Sequence, residues 1–205
     1  DMPNVHLYEQ AWPELYPNDH FRSSLYTYAN VSKDYYTSYE KPGIMGEAGG
    51  GSHMFFGNIQ LGTDDYTQIY HNALWASWSN GLAVTPVWWS LSQGWMDTDD
   101  LQQLKIFSDI AKDINYAEFD SLKPSDFIVN NADGFFMESD TMGFGWVRAI
   151  ENAQINGADM SIYGLYNGTY KLSWMDTWTG NLINLDTTIS YSEIMPGVIT
   201  EQLQE

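Results

Sequence analysis

Lys41-Pro42-Gly43-Ile44-Met45-Gly46-Glu47-Ala48-Gly49 is a short, largely apolar stretch that delivers a carboxylate to the edge of a glycine run, Gly49-Gly50-Gly51. Its length and its bounding glycines predict a buried strand. A strand is also predicted upstream, where Met2-Pro3-Asn4-Val5-His6-Leu7-Tyr8 is apolar and ends in polar groups. Between the two, past Pro13 and Pro17, the aromatic-rich segment from Phe21 to about Tyr39 is compatible with a helix. Downstream, Thr63 reads as a helix N-cap, with Asp64 and Asp65 in a first turn where carboxylates suit the helix dipole. That helix carries Ile69, Ala73, Leu74, Ala76 and Trp78, and Asn80-Gly81 is its stop signal. Leu82-Ala-Val-Thr-Pro-Val-Trp-Trp89 reads as a third strand, apolar on both sides. Thr98 then caps a helix opened by Asp99 and Asp100. Leu101, Leu104, Phe107, Ile110, Ala111 and Ile114 mark its buried face at spacings of three and four. Strands apolar all round, alternating with helices, are the pattern of a parallel sheet covered by helices.

After about Tyr116 the pattern changes. Phe127-Ile-Val, Gly134-Phe-Phe-Met, Phe144-Gly-Trp-Val-Arg, Met160-Ser-Ile-Tyr-Gly-Leu, Tyr170-Lys-Leu-Ser-Trp and Thr187-Thr-Ile-Ser are short stretches, several of them alternating. Turn residues such as Asn130-Asn131-Ala132-Asp133-Gly134 and Asn167-Gly168 separate them. This half reads as an antiparallel β-sandwich. Glu118 to Ser125, with Pro124, is the linker. The expected fold class is therefore α/β plus all-β, with one unit over residues 1–116 and a second over 117–205. Trp174, Asp176, Trp178 and Gly180 predict a turn locked by an Asx-type bond and packed aromatics; a sugar-stacking role for Trp178 is the other reading.

Composition narrows the function. Eight basic residues against 27 acidic ones leave a formal charge of −19 over 205 residues. Such a chain repels the polyanion of a nucleic acid and the surface of an anionic membrane. No apolar run approaches the roughly 20 residues of a spanning helix, and the first residues lack a basic, apolar signal pattern. With no cysteine, disulfides, thiolate chemistry and Cys-ligated zinc are excluded. His6, His20, His53 and His71 show no metal-ligand spacing, so no metal or cofactor is expected. The aromatic share of 16%, with nine Trp and fourteen Tyr, requires either a large core or a surface that stacks on flat apolar ligands such as sugar rings.

Four motifs, in order, carry a resemblance to a known family: His6-Leu-Tyr8; Lys41-Pro-Gly-Ile-Met-Gly-Glu47-Ala-Gly49; His71-Asn-Ala-Leu-Trp75 with Gly81 and Pro86-Val-Trp-Trp89; and Tyr170-x-Leu-x-Trp-x-Asp176-Thr-Trp-Thr-Gly180. They resemble the last three βα units of a clan A retaining glycoside hydrolase with a (β/α)8 barrel, followed by the C-terminal β-sandwich of several of its members. The resemblance implies that residues 1–116 are strands six to eight of the barrel and that residues 117–205 are the sandwich. It implies Glu47 as the catalytic nucleophile. The general acid/base, a glutamate after an asparagine at the end of strand four, has no counterpart here. The N-terminal half of the barrel is accordingly expected as a separate chain or a missing segment, and the 205 residues alone are expected to be inactive.

Each site residue has a bland reading beside the functional one. A carboxylate where Glu47 stands, at the end of a barrel strand, can attack an anomeric carbon, with a partner carboxyl about 5–5.5 Å away protonating the leaving oxygen; otherwise it caps a loop. Tyr8 either hydrogen-bonds the nucleophile and favours its ionised form or packs under the mouth. His6, sharing a strand face with Tyr8, is either a ligand for a sugar hydroxyl or a hydrogen-bonded core histidine. Trp88 and Trp89 face opposite ways in a strand, and one of them, more readily Trp89, floors the substrate subsite in the resembling enzymes. The expected partner is an oligo- or polysaccharide, with no nucleic acid and no membrane, and the expected location is extracytoplasmic, secreted or periplasmic. The rival reading is a non-catalytic carbohydrate-binding or structural module.

Overall fold

Asn4–Tyr8 (β1) and Ile44–Gly49 (β2) pair in parallel, joined by the helix His20–Tyr39 (α1), in the computed structural model. The structure describes residues 3–8, 16, 19–49, 64–86, 98–114, 116, 122–125, 127–150 and 160–191. Helix α1 begins where the Asp19 side chain accepts the Arg22 N–H at 2.9 Å, an N-cap that satisfies one of the helix's orphan donors. It ends at Glu40, whose φ of 51° is left-handed. Leu25, Tyr28, Ala29 and Ser32 are fully buried, and their spacing of three and four makes one stripe along α1. The hydroxyls of Ser32, in that stripe, and of buried Thr27 beside it donate to the carbonyls of Tyr28 and Ser23, at 2.7 and 2.8 Å. A buried hydroxyl satisfied within its own helix needs no distant partner.

The second helix, Asp64–Trp78 (α2), is buried on nearly every side from Tyr66 to its end, the polar Thr67, His71, Asn72 and Ser77 included. Trp75, Trp78 and Phe107 meet edge to face with ring centroids 5.1–5.8 Å apart, and they make its aromatic core. Past α2 the Asn80 side-chain amide donates to the Ala29 carbonyl at 2.8 Å, tying the end of α2 to α1. The chain then turns at Gly81 and forms a parallel bridge from Leu82 to Gly43. Gly43 turns its N–H and carbonyl to Gly81 and Ala83, while Ile44 turns its N–H to Pro3. β2 therefore lies between β1 and the segment at Leu82, all running parallel. The rest of the third predicted strand, from Val87 through Trp88 and Trp89, lies outside the described residues, as does the predicted cap Thr63.

Gly81 is indispensable for two reasons. Its φ is +111°, and a Cβ placed on it would lie 2.8 Å from the Tyr36 Cβ. A Gly81→Ala substitution combines a disallowed backbone conformation with a forced shift of α1, and is expected to destabilise by about 2–4 kcal/mol. A urea midpoint equal to that of the native chain would refute this expectation.

The third helix, Thr98–Ala111 (α3), differs from its sequence reading in two respects. Thr98 is already the first helical residue, with Asp99 and Asp100 in the first turn. The buried side is Asp100, Gln103, Ile106 and Phe107, whereas Leu101 is exposed. The apolar spacing had pointed to a stripe through Leu101 and Leu104. The cause is the partner on α2: buried His71 places its Nδ1 2.7 Å from Gln103 Oε1, so the polar side of α3 is drawn inward.

The chain divides into two compact units, Asp1–Phe107 and Ser108–Glu205. The second is built from small antiparallel sheets. Lys123–Pro124 (β3), Ala132–Glu138 (β5) and Gly143–Ala149 (β6) form one, in the order β3-β5-β6; Ile128–Val129 (β4) pairs with Met160–Ser161 (β7); Gly168–Met175 (β8) and Leu182–Tyr191 (β9) form a hairpin. The short strand β3 lies in the segment read as linker. Phe136, Met160 and Ile162 are the centre of the core, with Phe127, Val129, Leu165, Leu172 and Trp174 packed against it. Across β5–β6, buried Asp133 stands opposite Arg148, an opposite-charge pair of the kind that favours one register. Buried Glu138 accepts the Ser125 hydroxyl at 2.7 Å.

The β8–β9 connection is the predicted Asx-type turn. Asp176 Oδ1 accepts the Trp178 N–H at 2.8 Å, and Oδ2 accepts the Thr179 hydroxyl at 2.8 Å. Asp176→Ala removes these bonds, and a longer one from the Thr179 N–H at 3.4 Å, from an exposed turn, so a loss of about 0.5–1.5 kcal/mol is expected. Thermal unfolding of the variant checks it, and an unchanged midpoint would show the turn to be held by its strands alone.

Candidate active site

β1 and β2 present their C-terminal ends side by side because they run parallel. The register places Asn4 opposite Ile44 and Val5 opposite Met45, and then shifts, so that His6 stands opposite Glu47, Leu7 opposite Ala48 and Tyr8 opposite Gly49. Met45 and Ala48 are fully buried and Leu7 nearly so. These residues anchor both strands in the core and fix the strand ends from which His6 and Glu47 project.

His6 Nδ1 lies 3.3 Å from Glu47 Oε2, with side chains 45% and 27% exposed. At this separation the two form an ion pair whenever the imidazole carries its second proton. A partly exposed pair of this kind contributes about 0–1 kcal/mol to stability, so its main consequence is orientation. A carboxylate with one oxygen engaged by a neighbouring strand samples fewer rotamers. Both side chains are reached by solvent.

Of the residues singled out from sequence, the structure brings His6 and Glu47 together. Tyr8 lies on β1 opposite Gly49, while its side chain lies outside the described residues. Trp88 and Trp89 also lie outside them. His71, part of the same motif set, is a buried core histidine bonded to Gln103. Tyr70 beside it on α2 is equally buried. Burial, followed by the charge of Asp100, raises its phenol well above the ordinary range, so it is neutral at any physiological pH. Among the described residues no group of three or more His, Asp or Glu side chains is arranged to hold a metal ion, and no helix is long and apolar enough to cross a membrane.

Asn4 is the residue that sequence reasoning missed. Its side-chain Oδ1 accepts the Gly46 N–H at 2.9 Å, across 42 residues of chain. The signal for it was slight: an asparagine within an otherwise apolar strand, two residues before His6.

Protein-family models, curated proteins and solved structures were all compared with this chain, and none matches it.

Proposed function

We propose that this chain is the C-terminal portion of a retaining glycoside hydrolase that cleaves a polysaccharide, with Glu47 as its nucleophile and the acid/base carboxyl supplied by an N-terminal barrel half. The observation that carries the proposal is the placement of Glu47: a solvent-accessible carboxylate near the C-terminal end of a strand within a parallel βαβ unit, oriented by His6 from the neighbouring strand. In barrels of this type the chemistry is built at that end of the strands. The carboxylate attacks the anomeric carbon, the glycosidic oxygen leaves with a proton from the partner carboxyl, and water then hydrolyses the glycosyl-enzyme ester. Through Nδ1, which faces Glu47, His6 acts on the carboxylate, and a sugar hydroxyl remains a partner for its Nε2. The parallel arrangement of β1, β2 and the segment at Leu82 supports the reading of residues 1–116 as consecutive barrel strands, and the antiparallel sheets after Lys123 support a sandwich. Polysaccharide substrates imply an extracytoplasmic setting, which the strong negative charge suits as a solubilising surface.

A non-catalytic carbohydrate-binding module is the second reading. It is favoured by Trp178, 45% exposed on the rigid turn after β8. The test is a panel of neutral glycans offered to the full-length protein and to its Glu47→Gln variant, with binding and hydrolysis measured in parallel. Hydrolysis lost with binding retained supports the enzyme. Binding without hydrolysis in both proteins supports the module.

A further inference from the structure

β2 carries one residue more than β1 just before Glu47. Val5 faces Met45 and the next residue, His6, faces Glu47, so Gly46 is left outside the ladder as the extra residue of a β-bulge. Its N–H is taken instead by a side chain, Asn4 Oδ1 at 2.9 Å. A Cβ on residue 46 would lie 2.5 Å from that oxygen and 3.0 Å from the Asn4 Nδ2. Glycine is therefore what lets the carboxamide approach, and such a bulge re-aims the residues that follow it.

The re-aiming is visible in the burial pattern. In a regular strand Glu47, two residues after Met45, would share the buried face of Met45. With the extra residue, Ala48 is the next fully buried position, and the Glu47 side chain keeps 27% of its surface exposed. An unbulged ladder would continue with His6 opposite Gly46 and Leu7 opposite Glu47, which separates the imidazole from the carboxylate.

We propose that Asn4 is a positioning residue for the candidate nucleophile: by clamping the Gly46 N–H it holds the bulge that sets Glu47 opposite His6. The proposal rests on the reading of Glu47 given above, and Asn4 touches no substrate; it acts through Gly46, the residue covalently joined to Glu47.

The test uses the whole of this 205-residue sequence, with any N-terminal barrel half that accompanies it, and needs no substrate at first. In Asn4→Ala the Gly46 amide should exchange with solvent about three- to tenfold faster, the loss of one hydrogen bond. The long-range imidazole 15N spectrum of His6 should move to the pattern that Glu47→Gln produces, because both variants remove the carboxylate from Nδ1. Asn4→Asp, which keeps an acceptor at the same place, should restore both signals. Unchanged Gly46 exchange and an unchanged His6 spectrum in Asn4→Ala would overturn the proposal, as would failure of Asn4→Asp to restore them. If Asn4→Ala does not fold, Gly46→Ala takes its place: its methyl evicts the carboxamide, so the His6 spectrum must shift, and a native spectrum overturns the proposal. In a full-length protein that hydrolyses a glycan, Asn4→Ala should lower kcat about 10- to 100-fold at nearly constant KM, the cost of a misplaced reacting group. A clamp seen by NMR together with full turnover in Glu47→Gln would leave the bulge in place and refute the nucleophile instead.

Discussion

Glu47→Gln in the full-length protein is expected to lower hydrolysis of the responsive glycan by roughly 10^4- to 10^6-fold, while the affinity for that glycan changes little. The amide has nearly the same shape as the carboxylate and keeps an oxygen that accepts a hydrogen bond. It has no charge with which to form the glycosyl-enzyme ester, so the covalent half of the double displacement is lost. At about 1.36 kcal/mol per decade, the loss corresponds to about 5–8 kcal/mol of transition-state stabilisation. Steady-state kinetics supply the first check and intact mass the second. With a substrate whose leaving group needs no protonation, the native protein should accumulate a glycosyl adduct that maps to Glu47, and the variant should accumulate none. An adduct on another carboxylate, or a variant within tenfold of native turnover, would remove Glu47 from the mechanism.

Trp75→Ala is expected to produce the largest loss of stability, about 3–5 kcal/mol. The indole is 2% exposed. It packs edge to face on Trp78 at 5.8 Å and on Phe107 at 5.1 Å, and at an angle to His71 at 6.1 Å. Truncation removes the transfer free energy of a large side chain, leaves a cavity between α2 and α3, and deletes aromatic pairs worth about 0.5–1.5 kcal/mol each. Set against the 5–15 kcal/mol typical of a whole domain, this leaves the unit Asp1–Phe107 close to unfolding. Urea denaturation followed by circular dichroism reads the effect directly. Trp178→Ala is the control: this residue is 45% exposed on a turn, and its truncation should stay within about 0.5 kcal/mol of native. Comparable losses in the two variants would mean that Trp75 is not a core residue.

The elements read most easily from sequence were those with local signals. Asn80-Gly81 stops α2 by chain chemistry that acts within a few residues. The same holds for the β8–β9 turn, where Asp176 bonds to groups two and three positions on. β5 and β6 were legible from turn residues such as Asn131, which has a φ of 63°, from the apolar run Phe135-Phe136-Met137 and from the alternation of Phe144 and Trp146. The buried face of α3 was not legible. Two stripes pass through Phe107, and apolar spacing favours the one with Leu101 and Leu104, because a hydrophobic count gives no credit to a buried glutamine. Gln103 faces inward beside Ile106 and Phe107 and bonds to His71, 32 residues away on another helix.

The candidate site divides in the same way. The sequence by itself determined that one strand carries Glu47 near its end and that another ends at His6-Leu-Tyr8, with a segment compatible with a helix between them, since these follow from apolar runs and glycines within each segment. It also determined the acidic charge that repels polyanions. Tertiary structure alone decided that His6 faces Glu47. That pairing depends on one extra residue in β2, and a slip of one position changes the partner of every residue after it. The bulge is held by a bond between Asn4 and Gly46 across 42 residues, and no local pattern encodes a contact whose two halves meet only after the strands have paired.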